Sequence, residues 1–156
     1  MLDQRKLLAA IGLVCFGFVA FAVYLQLALD MLPCPLCIIQ RYAFLGAGIA
    51  CLLAAAFKTP RAGLLVAGLC IAGGIVTVAK HLWVLAHPGV SCGIDPTETF
   101  LNRLPTASLL PDVFLANGIC ELATERLLGL NVPTWAAIAF ALVSLALLLT
   151  WRRGRR

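Results

Sequence analysis

Four long apolar stretches leave this chain little choice of fold. They run from Leu7 to Leu29, from about Cys37 to Phe57, from about Leu64 to Ala86, and from Thr134 to about Trp151. Each reaches the roughly 17 residues that a helix needs to cross the hydrocarbon core of a bilayer. No water is available there for an unpaired N–H or C=O, so the stretches must be helices, which satisfy their backbone internally. The 156 residues are 62% hydrophobic and 12% charged, whereas a soluble domain is nearer half apolar and about a quarter charged. Leu7–Leu29 is longer than the roughly 7–15 apolar residues of a secretory signal, and no clear small-residue cleavage site follows it. It is expected to remain as a helix. The fold class is therefore an all-α membrane protein, a single domain built as a four-helix transmembrane bundle with spans near 7–29, 37–57, 64–86 and 134–151.

Basic residues orient the bundle. Arg5 and Lys6 precede the first span, Lys58 and Arg61 lie between the second and third, and Arg152, Arg153, Arg155 and Arg156 end the chain. If the spans alternate, these share one side, and an excess of Lys and Arg marks the cytoplasmic side. Both termini are then cytoplasmic. The net charge of +5 is a topology signal and is no evidence for nucleic-acid binding. On the outer side lie a short segment, Asp30 to Leu36, and one long loop, about 87–133. Pro88-Gly89, Asp95-Pro96, Pro105, Pro111 and Asn117-Gly118 punctuate that loop and argue against any sizeable regular element. Phe100, Leu101 and Leu104, then Leu109 to Leu115, form short amphipathic pieces. They either lie flat at the headgroups or tuck against the bundle.

The same topology sorts the cysteines. Cys15, Cys51 and Cys70 fall within spans and read as small hydrophobic residues. Cys34, Cys37, Cys92 and Cys120 all lie outside, and an even set in an oxidising compartment reads as disulfides. Cys34-Pro-Leu-Cys37 opens the second span. Pro35 suits the first helical position, which puts Cys34 at the N-cap and Cys37 in the first turn, where free N–H groups and the helix dipole favour a thiolate. A redox-active pair is the expectation, since a bond closing so small a ring adds little stability. Cys92 and Cys120, taken alone, suit a structural bond, worth roughly 3.5 kcal/mol in the chain-entropy account. Beside Cys34 and Cys37 they suit a relay. Zinc could also use four cysteines, but a second Cys-x-x-Cys is missing and an oxidising exterior disfavours free thiolates, so no metal site is expected.

Four polar residues sit inside the spans near the cysteines. Arg41 is one helical turn from Cys37 on the same face. It either snorkels to the interface or binds an acceptor oxygen and stabilises negative charge there, with Gln40 as a second polar candidate. His81, with Lys80, lies at comparable depth in the third span and could hydrogen-bond a ligand or carry protons. Gly46, Ala50, Gly68 and Ala72 form small-xxx-small patterns suited to close helix approach.

The run Cys34-Pro-Leu-Cys-Ile-Ile-Gln-Arg41 resembles the signature of the DsbB family of bacterial disulfide-bond formation proteins. Cys92-Gly-Ile-Asp, Asn102-Arg-Leu-Pro105, Asn117-Gly-Ile-Cys120 and Leu128-Gly-Leu-Asn-Val-Pro133 resemble that family's long periplasmic loop and its entry into the last helix. The resemblance covers nearly the whole chain in order. It implies an inner-membrane oxidoreductase, a protein-dithiol:quinone oxidoreductase that reoxidises a periplasmic DsbA-like thioredoxin-fold protein, with ubiquinone or menaquinone as acceptor. Carried over by position, Cys92 forms the mixed disulfide with the partner and Cys120 is its loop mate. Cys34 exchanges with the loop pair, Cys37 faces the quinone as a thiolate, and Arg41 binds the quinone with His81 nearby. The sequence departs from the family at Glu121, where alanine is common, and at Glu125-Arg126, where a tryptophan is common. Two rival readings are a membrane scaffold with structural disulfides and an oxidoreductase that sends electrons outward to reduce disulfides.

Overall fold

A computed structural model describes residues 3–87, 94–120 and 126–154, apart from the side chains of 94 and 95. The four long helices are α1 (Gln4–Ala28), α2 (Pro35–Phe57), α3 (Pro60–Ala86) and α7 (Val132–Arg153), and all four are long and apolar enough to cross a membrane. Each begins or ends within a few residues of its expected limits. The chain is a multi-pass membrane protein. Its outward faces carry Leu13, Leu69, Val76 and Leu148, each more than half exposed, a surface that suits lipid and would be an aggregation liability in water.

Up-and-down connectivity brings the basic residues to one end. Arg5 Nε donates to the Ala55 carbonyl at 2.8 Å and Gln4 Nε2 to the Thr150 carbonyl at 3.3 Å, so the start of α1 meets the ends of α2 and α7. The core between the helices holds Leu8, Cys15, Phe44, Cys51, Ile71 and Phe140. Phe44 and Phe140 stack with ring centroids 4.1 Å apart. Cys15 and Cys51 are free thiols buried in this core and Cys70 is half-buried against it, as expected of small apolar residues. The close helix approaches match the expected ones on α2 and differ on α3. Gly46 meets Cys70 and the Ala50 carbonyl lies 3.0 Å from a Cβ built at Gly63, but among the described residues nothing lies near Gly68, and it is at Gly63 and Gly74 that an added Cβ would strike Ala54 and Phe140, both at 2.1 Å. Which small residues face a neighbour depends on helix rotation, which spacing alone does not set.

The long loop is more regular than its prolines suggest. It contains α4 (Ile94–Asn102), α5 (Pro105–Leu109) and α6 (Pro111–Phe114). Pro96 sits in the first turn of α4, while Pro105 and Pro111 begin α5 and α6. A proline lacks only an N–H that the first turn leaves unpaired anyway, so here it starts helices where it was read as breaking them. The amphipathic pieces tuck against the bundle along one side. Leu101, Ala107 and Phe114 pack on Ile38 of α2, whereas Phe100, Leu109 and Leu110 are exposed. A minimal hairpin, β1 (Arg126–Leu127) and β2 (Leu130–Asn131), pairs Leu127 with Leu130 around Leu128-Gly129. Both turn residues have positive φ, as the tightest hairpin turn requires. Trp135 Nε1 ties that hairpin to the start of α7 by donating to the Leu127 carbonyl at 2.8 Å.

Candidate functional site

The end of the bundle opposite the basic residues carries the chemistry. Cys34 is the N-cap of α2, with Pro35 in the first turn, and its Sγ accepts from the Cys37 N–H at 3.4 Å. The local sequence thus folds as its proline dictates, and both sulfurs come to the same side of the helix start. Cys34 and Cys37 are free thiols whose sulfurs lie 3.0 Å apart, Cys34 donating to Cys37. That hydrogen bond, reinforced by burial, pushes the Cys34 thiol above its ordinary value. His81 is fully buried against the pair. Its Nε2 lies 3.8 Å from Cys34 Sγ and its Nδ1 4.0 Å from Cys37 Sγ.

The two sulfurs have different surroundings. Cys34 belongs to a buried cluster with Leu36, Val84 and Cys120, and Cys120 is disulfide-bonded. Backbone holds this loop segment in place, for the N–H groups of Asn117 and Gly118 both donate to the Pro33 carbonyl at 3.0 Å. Asn102 grips the same segment from α4, donating to the Ala116 carbonyl at 2.9 Å while accepting from its N–H at 2.8 Å. Cys37 packs against the edge of the same cluster and, unlike Cys34, also borders an apolar cavity of about 330 Å³ between α1, α2 and α7, whose wall includes Phe18, Gln26, Gln40, Arg41, Phe44 and Trp135.

Arg41 does not snorkel. It is 6% exposed, and its Nη1 donates to the carbonyls of Asp112 at 3.3 Å and Val113 at 2.8 Å while Nη2 donates to Gln26 Oε1 at 2.7 Å. A guanidinium has five N–H donors, so these bonds leave capacity for a ligand. Gln40 is also buried, and its Nε2 has no partner among the described residues. His81 is absent from the described cavity wall and faces the sulfurs. Cys92, Glu121 and Glu125 lie outside the described residues.

The model of a family described as disulfide bond formation protein DsbB matches residues 4–150. The chain belongs to the DsbB family. Curated relatives agree along its whole length. A disulfide bond formation protein B of Herminiimonas arsenicoxydans is 44% identical over 153 residues, covering 96% of each chain. One of Cupriavidus necator is 44% identical over 148 residues, covering 93% of this chain and 91% of its own. One of Ralstonia nicotianae is 40% identical over 159 residues, covering 99% and 98%. Membership of the DsbB family makes this an oxidoreductase of disulfide bond formation, which favours that reading over a scaffold or a reductase. One member of the site, Gln26, carries no strong sequence signal of its own, whereas Asn102 opens the Asn102-Arg-Leu-Pro105 run. Gln26 is polar in an apolar span at about the depth of Arg41, which is the one hint available.

Proposed function

We propose that this DsbB-family protein reoxidises a DsbA-like thioredoxin-fold thiol oxidase, moving two electrons through Cys92/Cys120 and Cys34/Cys37 to a membrane quinone. The observation that carries the reading is the division of the thiol pair, with Cys34 packed beside the disulfide-bonded Cys120 and Cys37 in the wall of the cavity. In the first exchange a thiolate of the reduced partner attacks Cys92, breaking the Cys92–Cys120 bond. The partner's second thiol then displaces Cys92, leaving the loop pair reduced and the partner oxidised. Cys120 attacks Cys34 of an oxidised Cys34–Cys37 pair, and Cys37 departs as a thiolate, the easier leaving group at a helix N-terminus. Cys92 attacks the new Cys120–Cys34 bond, restoring the loop disulfide and releasing Cys34 as a thiol. Each exchange breaks one S–S bond and forms another.

The cavity residues fit a quinone. Its walls are apolar, and among the described residues Gln40 Nε2 is a buried donor in want of an acceptor and Arg41 is a fixed cation with N–H groups to spare. A bound quinone supplies a two-electron, two-proton acceptor. Arg41 and Gln40 would bind and orient its oxygens, the aromatic walls would exclude water, and His81 would hold a proton released from the sulfurs beside it. The basic end of the bundle supports a bacterial inner-membrane setting with both termini in the cytoplasm and the redox cysteines facing the periplasm.

Anaerobic addition of ubiquinone or menaquinone to the reduced, purified protein tests this reading by thiol count. Two thiols should be lost per quinone reduced, and Cys37→Ser should abolish the loss. If Cys37→Ser consumes quinone at the normal rate, or if the exofacial cysteines stay oxidised when partner is supplied and quinone withheld, the relay is wrong.

A further inference from the structure

Gln26 stands near the outer end of α1, in the cavity wall beside Arg41. Both ends of its amide are engaged. Oε1 accepts from Arg41 Nη2 at 2.7 Å, and Nε2 donates to the Asp112 carbonyl at 3.0 Å. Arg41 Nη1 reaches the same carbonyl at 3.3 Å and that of Val113 at 2.8 Å. Gln26, Arg41 and the backbone of α6 thus close a small ring of hydrogen bonds across the cavity rim. An arginine near the end of a span otherwise extends toward water along its flexible stem. Among the described residues three acceptors fix the guanidinium plane, and of these Gln26 Oε1 alone belongs to a side chain.

We propose that Gln26 is a positioning residue for Arg41, fixing the guanidinium in the cavity wall so that its remaining N–H groups are held ready for an acceptor's oxygen. The role requires no contact between Gln26 and that acceptor. It rests on the quinone reading of the cavity given above. A charge-assisted bond to a neutral amide is stronger than a neutral pair, and it limits the rotation of a group that would otherwise have to be ordered during binding. The bond to Asp112 does something else, since it ties the loop to α1 whether or not Arg41 is present. The two halves of the amide can therefore be separated by substitution.

The test compares Gln26→Met, Gln26→Glu and Arg41→Ala in the full-length purified protein, with a short-chain water-soluble quinone and a reduced thioredoxin-fold partner. Gln26→Met keeps the length of the side chain and loses both bonds. It should raise the quinone KM about tenfold, on the order of one charge-assisted hydrogen bond, with kcat nearly unchanged. Gln26→Glu still accepts from Arg41 but cannot donate to Asp112. It should return the quinone KM to near the wild-type value. A tie that served only to hold the loop would make the two variants alike, so equal KM values in Gln26→Met and Gln26→Glu would overturn the proposal. A raised KM in Arg41→Ala with a normal one in Gln26→Met would also overturn it, leaving the quinone reading intact. An unchanged KM in Arg41→Ala would remove the quinone reading and the role of Gln26 with it.

Discussion

Replacing Gly118 by alanine should disconnect the loop from the thiol pair. An ideal Cβ at Gly118 would lie 2.1 Å from the Leu32 carbonyl oxygen, 2.8 Å from its carbon and 3.0 Å from the Pro33 carbonyl carbon. These are backbone atoms that no side-chain rotation can move aside. Gly118 is not among the residues with positive φ, so the objection to alanine is space alone. To reach an ordinary contact distance the loop must retreat by at least about 1 Å. The two bonds from Asn117 and Gly118 to the Pro33 carbonyl, both 3.0 Å, then pass beyond hydrogen-bonding range. Two neutral bonds at about 1 kcal/mol each come to about 2 kcal/mol, or roughly a thirtyfold smaller population with the loop seated. Cys120 follows two residues later, and its packing beside Cys34 depends on that seating. The assay is a single-turnover measurement of electron transfer from the reduced loop pair to excess quinone. The rate should fall about thirtyfold, with the melting midpoint near normal. A rate close to wild type in a folded Gly118→Ala protein would refute the claim that this backbone contact sets the distance between the pairs.

Gln40→Leu should act in opposite directions on stability and binding. It removes a buried donor with no partner among the described residues, which should stabilise the quinone-free protein by about 1 kcal/mol or more, read as a higher melting midpoint, while the quinone KM rises. Cys15→Ala, Cys51→Ala and Cys70→Ala should each keep normal turnover, because these thiols are part of the apolar packing; loss of activity in a stably folded variant would give one of them a redox role. His81→Leu keeps the apolar bulk against the sulfurs but removes both ring nitrogens. It should slow the quinone-dependent step at least about tenfold and leave the exchange between partner and loop pair nearly unchanged, as followed by mixed-disulfide trapping.

The membrane fold was legible because a bilayer asks so little of sequence, namely about 20 apolar residues per helix and a bias of charge between the ends. The start of α2 was legible for a local reason, since Pro35 in the first turn fixes the two cysteines at the N-cap and one turn on. The surroundings of Arg41 were not. Two of its partners are the carbonyls of Asp112 and Val113, and a carbonyl is the same whatever residue bears it. The position of His81 turned on the rotation of α3 about its axis, which depends on packing at distant points such as Gly74 against Phe140. The prolines of the loop were visible, but whether a proline ends one element or begins the next depends on what the following residues can bury. In α4 to α6 that is a patch on Ile38 of another helix.

Cys34 is 1% exposed and Cys120 fully buried. A small thiol in the surrounding fluid therefore has no line of approach to either sulfur, even though thiol exchange is chemically promiscuous. The proposed exchange between Cys120 and Cys34 is thus insulated in the way a wire is. Cys37, the other sulfur of the inner pair, is half-buried and lies on the cavity side, so the insulation covers the junction between the proposed pairs and leaves the acceptor end accessible.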